Sequence, residues 1–181
     1  MNIAVYCSSS NTIGEKFTNE AYKLGEWIAE NGHTLVFGGA TGGSMTSVSE
    51  GAYFKGGKII GVIPNAVVRM NRESPLCSEL ISCETMSERK EKMKTIADVF
   101  VALPGSFGTL DELFDVVASG IVGEHKKPTI LVNQDGFFDD LISLKLKMEN
   151  EGFIPASHQN YKYIIADNID QCTEIIKTYY L

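Results

Sequence analysis

Val99 to Glu112 reads V-F-V-A-L-P-G-S-F-G-T-L-D-E. Val99 to Leu103 is a short apolar strand, Pro104 to Gly108 a turn, and Thr109 opens a helix that runs to about Gly120. Glycine lets a backbone approach a ligand closely. The first N–H groups of a helix are unpaired, and its dipole favours an anion there. A phosphate suits that place, with the Ser106 and Thr109 hydroxyls beside it. A second reading stays open: Thr109 and Glu112 have the spacing of a capping box. The segment is neither a Walker A loop nor a G-x-G-x-x-G fingerprint.

The same alternation extends in both directions. Strands are expected at Ile3–Cys7, His33–Phe37, Lys58–Ile63, Leu80–Cys83, Thr129–Val132 and Tyr163–Ala166. Helices are expected at Gly14–Asn31, Ser44–Phe54, Ser87–Ala97, Phe137–Asn150 and Ile169–Tyr180, where apolar residues recur at helical spacing. Pro64–Ser78, with prolines and two arginines, reads as an irregular loop suited to a substrate. Short apolar strands alternating with amphipathic helices predict an α/β fold, a mainly parallel sheet covered on both faces. Such sheets bind ligands at the carboxyl ends of their strands. Three turns lie there: Ser8–Asn11, Gly38–Gly43 and Gly105–Thr109.

Composition narrows the classes. The chain has 181 residues, enough for one domain (1–181) with a substantial core. Its net charge of −7 argues against a large nucleic-acid footprint. No apolar run approaches a bilayer span, and the start lacks the basic region of a signal peptide, so a cytoplasmic protein is expected. Cys7, Cys77, Cys83 and Cys172 contain no C-x-x-C spacing and read as reduced thiols. No metal and no cofactor are expected. On the helix from Ser87, residues Met86, Arg89, Lys90 and Met93 share one face, either at the mouth of a site or as a charged surface with methionines in the core.

Together these segments resemble the LOG (LONELY GUY) family, often labelled lysine decarboxylase-like. The family pairs M-x-x-R-K with P-G-G-x-G-T-x-x-E, one strand apart. Here the pair is Met86-Ser87-Glu88-Arg89-Lys90 and Pro104 to Glu112. The likeness continues through Gly56–Pro64, Ala97–Gly105, His125–Pro128 and Glu151–Pro155, covering nearly the whole chain. It departs at Ser106, where the family has glycine, at Gly38–Thr46, and at Ala118-Ser119-Gly120-Ile121, where the family has T-W-x-Q.

The resemblance implies a Rossmann-like three-layer fold, a homodimer, and hydrolysis of a nucleoside 5′-monophosphate (AMP-like) to free base and ribose 5-phosphate. The alternative is a catalytically weak or inactive nucleotide-binding protein, a sensor or carrier. Nothing supports a pyridoxal-dependent decarboxylase. The resemblance makes Arg89 and Glu112 the catalytic pair. It gives Gly105, Ser106, Phe107, Gly108 and Thr109 to the phosphate, with Lys90 adding charge. Ser8, Ser9, Gly39, Glu73 and Met86 complete the substrate contacts.

Overall fold

The computed structural model describes residues 1–155, 158 and 163–179. Seven parallel strands form one sheet: β1 (Asn2–Tyr6), β2 (Thr34–Phe37), β3 (Lys58–Pro64), β4 (Glu79–Cys83), β5 (Val99–Ala102), β6 (Thr129–Val132) and β7 (Ile164–Ala166). Their order is β4-β3-β2-β1-β5-β6-β7. Helices α1 (Glu15–Glu30), α2 (Gly43–Phe54), α3 (Asn65–Val68), α4 (Met86–Ile96), α5 (Phe107–Ile121), α6 (Asp139–Asn150) and α7 (Ile169–Thr178) connect and follow them.

The pleat divides the core in two. Ile3, Val5, Leu35, Phe37 and Val101 point to one face, where Leu24 and Ile28 of α1, Val48 and Ala52 of α2, and Ile176 of α7 cover them. Ala4, Tyr6, Val36, Phe100 and Leu131 point to the other, under Met93 of α4, Leu113 and Val116 of α5, and Phe138. These strands are buried on both sides, which is why they read as continuous apolar runs rather than alternating ones.

The chain moves outward from β1 in both directions. Constant crossover handedness then requires helices on opposite faces. α1 and α2 lie on one face and α4 and α5 on the other. β1 is flanked by β2 and β5, so the loops after β1 and β5 diverge and leave a crevice at the carboxyl end of the sheet.

The predicted elements are observed with small shifts at their ends. Tyr180, the expected end of the last helix, lies outside the described residues. α6 starts later than Phe137. The Asn133 side chain accepts from the Phe138 N–H at 2.7 Å and donates to Asp139 at 2.8 Å, which holds a 3₁₀ turn at Gln134–Gly136 apart from the helix. α5 starts earlier, at Phe107, with Ser106 in the capping position and no side chain bonded to the free N–H groups. Thr109 is therefore inside the first turn, and Glu112 faces away from it toward Arg89. The capping box that the spacing left open there is not formed. A side-chain cap occurs instead on α4, where Thr85 accepts from the Glu88 N–H at 3.1 Å and Glu88 accepts from the Glu84 N–H at 2.8 Å.

Candidate active site

The crevice beside β1 holds a pocket of about 250 Å³. Each wall comes from a turn at a strand's carboxyl end. Cys7, Ser8 and Ser9 follow β1, Gly38 and Ala40 follow β2, and Ser106, Gly108 and Thr109 open α5. α4 and α5 approach from the far face with Arg89 and Glu112.

Arg89 and Glu112 form an ion pair on the pocket wall. Arg89 Nη1 lies 2.5 Å from Glu112 Oε1, with the residues 4% and 3% exposed. The guanidinium is held from two further sides. Its Nε donates to the Val62 carbonyl at 3.0 Å, and its Nη2 lies against Gly38. A methyl group on Gly38 would sit 2.5 Å from that nitrogen, so the close approach requires a glycine. A buried arginine bonded to a carboxylate and a carbonyl has a single available orientation, and it fixes Glu112 in turn.

Burial pushes the Glu112 carboxyl above its ordinary value of 4.5, and the Arg89 charge and hydrogen bond oppose that shift. Burial also raises the Cys7 thiol, with the Glu112 charge acting in the same direction, so the pocket's cysteine stays protonated and is no nucleophile.

Around this pair, the segment after β3, which opens with the short helix α3 rather than staying irregular throughout, closes the pocket. The Thr41 N–H donates to the Arg72 carbonyl at 2.7 Å and the Ser74 N–H to the Gly39 carbonyl at 2.8 Å, with an antiparallel bridge between Ala40 and Glu73. Arg72 reaches back over the turns, donating to the carbonyls of Thr41 at 2.8 Å and Ser9 at 3.2 Å. Pro64, Val67 and Arg72 thus line the pocket, as a substrate loop would. The turn after β1 is tied to α2 by Asn11, which accepts from the Gly43 N–H at 3.0 Å. Gly42, at φ 115°, passes so close to the Ser9 carbonyl that a side chain would overlap it.

The expected residues divide accordingly. Ser8, Ser9, Met86, Arg89, Ser106, Gly108, Thr109 and Glu112 meet at the pocket. Gly39 and Glu73 stand behind it in the bridged loop; one Glu73 oxygen is buried with no hydrogen-bond partner among the described residues. Gly105 backs onto Thr109, where a side chain would overlap the hydroxyl. The Phe107 ring is 90% exposed, so only its backbone is available to the pocket. Lys90 bonds Asp111 at 2.7 Å and Asp115 at 3.5 Å, locking α4 to α5 rather than facing the pocket. Arg72 was not singled out from the sequence, and Gly38 was marked only as part of the Gly38–Gly43 turn. Arg72 lay within the loop already marked by its two arginines, but nothing local distinguished it from Arg69.

The fold and this site define a Rossmann-like α/β protein with an uncapped, glycine-rich helix start beside a buried arginine–glutamate pair. The family model described as "Possible lysine decarboxylase" matches residues 45–176. Among similar proteins, the cytokinin riboside 5′-monophosphate phosphoribohydrolase of Mycobacterium tuberculosis is 37% identical, covering 92% of this chain and 88% of that protein. Cytokinin riboside 5′-monophosphate phosphoribohydrolase LOG2 of Arabidopsis thaliana is 32% identical over 98% of this chain and 83% of its own. The structure of a molybdenum cofactor binding protein from Rippkaea orientalis superposes with a TM-score of 0.75 at 26% identity, covering 99% and 97% of the two chains. The chain belongs to the lysine decarboxylase-like family that includes the LOG phosphoribohydrolases.

Proposed function

We propose that the protein hydrolyses the N-glycosidic bond of a nucleoside 5′-monophosphate, giving free base and ribose 5-phosphate. The observation that carries this reading is the buried Arg89–Glu112 pair beside the uncapped start of α5. The free N–H groups of Phe107, Gly108 and Thr109 hold the 5′-phosphate, aided by the Ser106 hydroxyl. Glu112 then faces the sugar. As the C1′–N bond breaks, positive charge grows on the ring, and a preorganised carboxylate in a dry pocket stabilises it. Arg89 keeps Glu112 ionised and oriented. Water delivers its hydroxyl to C1′ and its proton to the departing base. Ser8, Ser9, Met86 and Arg72 line the space left for ribose and base.

The carrier alternative rests on the departures at Ser106 and at Ala118, Ser119 and Ile121. The last three do not line the pocket: Ser119 is buried against its own helix, and Ala118 and Ile121 border a separate apolar hollow. Of these four, only Ser106 lines the pocket, and it adds a hydroxyl where a phosphate oxygen would lie; Ala40, from the departure at Gly38–Thr46, lines it as well. The deciding experiment is incubation with a panel of nucleoside 5′-monophosphates, with free base and ribose 5-phosphate resolved by chromatography. Nucleotide-induced stabilisation without base release from any member would leave the carrier.

The proposed assembly is a homodimer. α5 carries Phe107, Leu110, Phe114, Val117 and Ile121 at alternating three- and four-residue spacing, the seam of a helix that packs against another. Phe107 and Phe114 are 90% and 44% exposed, which is unusual for rings on one stripe. A second copy covers this stripe in our reading. Phe114→Glu should therefore weaken self-association by at least about a hundredfold, seen as a monomer in light scattering after gel filtration. A dimer that persists at micromolar concentration would place the interface elsewhere.

Described helices include none long and apolar enough to cross a membrane.

A further inference from the structure

A second chamber adjoins the first on the far side of the phosphate turn. It measures about 350 Å³ and is bordered by Ile13, Phe17, Pro104 and Phe137. Ser8 and Ser106 line both chambers, so the two meet at the start of α5. Arg89 and Glu112 lie on one side of that junction and the aromatic residues on the other. Phe17 and Phe137 meet edge to face at 5.7 Å, Phe137 is 47% exposed, and Lys16 sits 4.9 Å over the Phe17 ring. The first chamber alone lies below the roughly 300–1,000 Å³ usual for ligand sites.

The order along a ligand follows from this layout. Sugar faces Glu112 and phosphate faces the α5 N–H groups. Whatever lies beyond the phosphate enters the second chamber. That chamber offers a half-exposed phenylalanine ring and mainly apolar walls, with Ser10 the one polar side chain beyond the junction, which suits a planar aromatic group. A charged or hydrated tail gains little there, because Lys16 is already paired with Asp135 at 2.8 Å and burying a polar group without a partner is unfavourable.

We propose that the site accepts dinucleoside diphosphates: one nucleotide occupies the Arg89–Glu112 chamber, the diphosphate spans the Ser8–Ser106 junction, and the second base stacks on Phe137. The placement of the first nucleotide rests on the hydrolase reading above; the second chamber does not. Ser106 is the junction residue. Its hydroxyl bonds no N–H group at the helix start, leaving it available to the bridging diphosphate.

The test compares AMP with P1,P2-di(adenosine-5′) diphosphate. Apparent Kd is taken from the concentration dependence of thermal stabilisation. It is measured for the intact wild type, for Phe137→Ala, and for Ile13→Trp, which fills the chamber. Neither residue belongs to the phosphate, sugar or catalytic contacts. The dinucleotide should bind wild type more tightly than AMP does. Each variant should weaken it about tenfold, the range of one lost base stack, while AMP changes less than twofold. Weaker wild-type binding of the dinucleotide than of AMP overturns the proposal, as does equal weakening of both ligands by the variants. Should one variant fail to fold, the other and the wild-type comparison decide. Base release from AMP with the dinucleotide excluded removes this proposal alone. The expected binding pattern without any base release removes the hydrolase reading and leaves this one standing.

Discussion

Glu112→Ala is expected to lower base release from the best nucleoside 5′-monophosphate by about a thousandfold, the scale of losing one preorganised charge at a transition state. The loss should fall on kcat, because Glu112 acts on charge that is absent from the bound ground state. Affinity for the product ribose 5-phosphate should stay within a few-fold, since the α5 N–H groups and Ser106 are untouched. The substitution also leaves Arg89 as an unpaired buried charge, which typically destabilises by about 3–5 kcal/mol. Activity must therefore be compared below the variant's Tm. Glu112→Gln separates the two effects: its amide oxygen still accepts from Arg89, so the variant should be closer to wild type in stability while remaining inactive. A Gln variant within tenfold of wild-type kcat would show that the carboxylate charge is not what drives the reaction.

Arg89→Met carries the second large effect. It removes the cation beside Glu112 and the donor to the Val62 carbonyl, with little change in volume. Rate at neutral pH should drop by about a hundredfold or more. The pH dependence is more diagnostic than the rate. In the wild type, burial already holds the Glu112 carboxyl above 4.5 against the pull of Arg89. Activity requires the ionised form, so the acid limb of the rate profile should lie above the ordinary glutamate range. Without Arg89 the opposing charge is gone, and the limb should move to higher pH still.

Stability follows the same sign. A carboxyl whose folded pKa exceeds its unfolded value leaves the folded state fully favoured below about 4.5 and loses that advantage as pH rises toward the folded pKa. The Tm of Arg89→Met should therefore fall, relative to wild type, as pH rises from 4 toward neutrality. A parallel offset at every pH would mean that Glu112 is not the group being unmasked. An acid limb that stays in place in this variant would carry the same message for catalysis.

Much of this architecture was legible from local chemistry. Short apolar runs such as Val99–Leu103, alternating with segments like Phe17–Ala21–Leu24–Ile28, already imply a parallel sheet with helices on both faces, because only double coverage buries such strands. The turn at Gly105–Thr109 was legible for the same local reason, and its place for an anion is our proposal: glycines permit a tight turn, and a helix start leaves N–H groups unpaired. Family motifs pointed to Arg89 and Glu112 as partners. Spacing alone did not, since Thr109 and Glu112 also matched a capping box. Free backbone donors and a buried arginine on another helix compete for the same carboxylate, and that competition is settled only when α4 packs against α5.

Other features depend on contacts between distant segments. Arg72 reaches the pocket because the loop after β3 folds back over the end of β2, and Gly38 is needed because a guanidinium arrives from 51 positions further along the chain. Lys90 looked like a ligand cation in the motif, but Asp111 and Asp115 lie nearer once the helices pack. The aromatic chamber joins Ile13 and Phe17 to Phe137, 120 positions beyond Phe17. Sequence by itself determined the elements, the sheet type and the glycine turn that opens α5, because helix starts, glycine turns and hydrophobic periodicity act between neighbours in the chain. Tertiary structure alone decided which charges pair, which rings line the second chamber and which motif residues line the pocket, because those outcomes depend on burial and on the packing of segments that the sequence keeps apart.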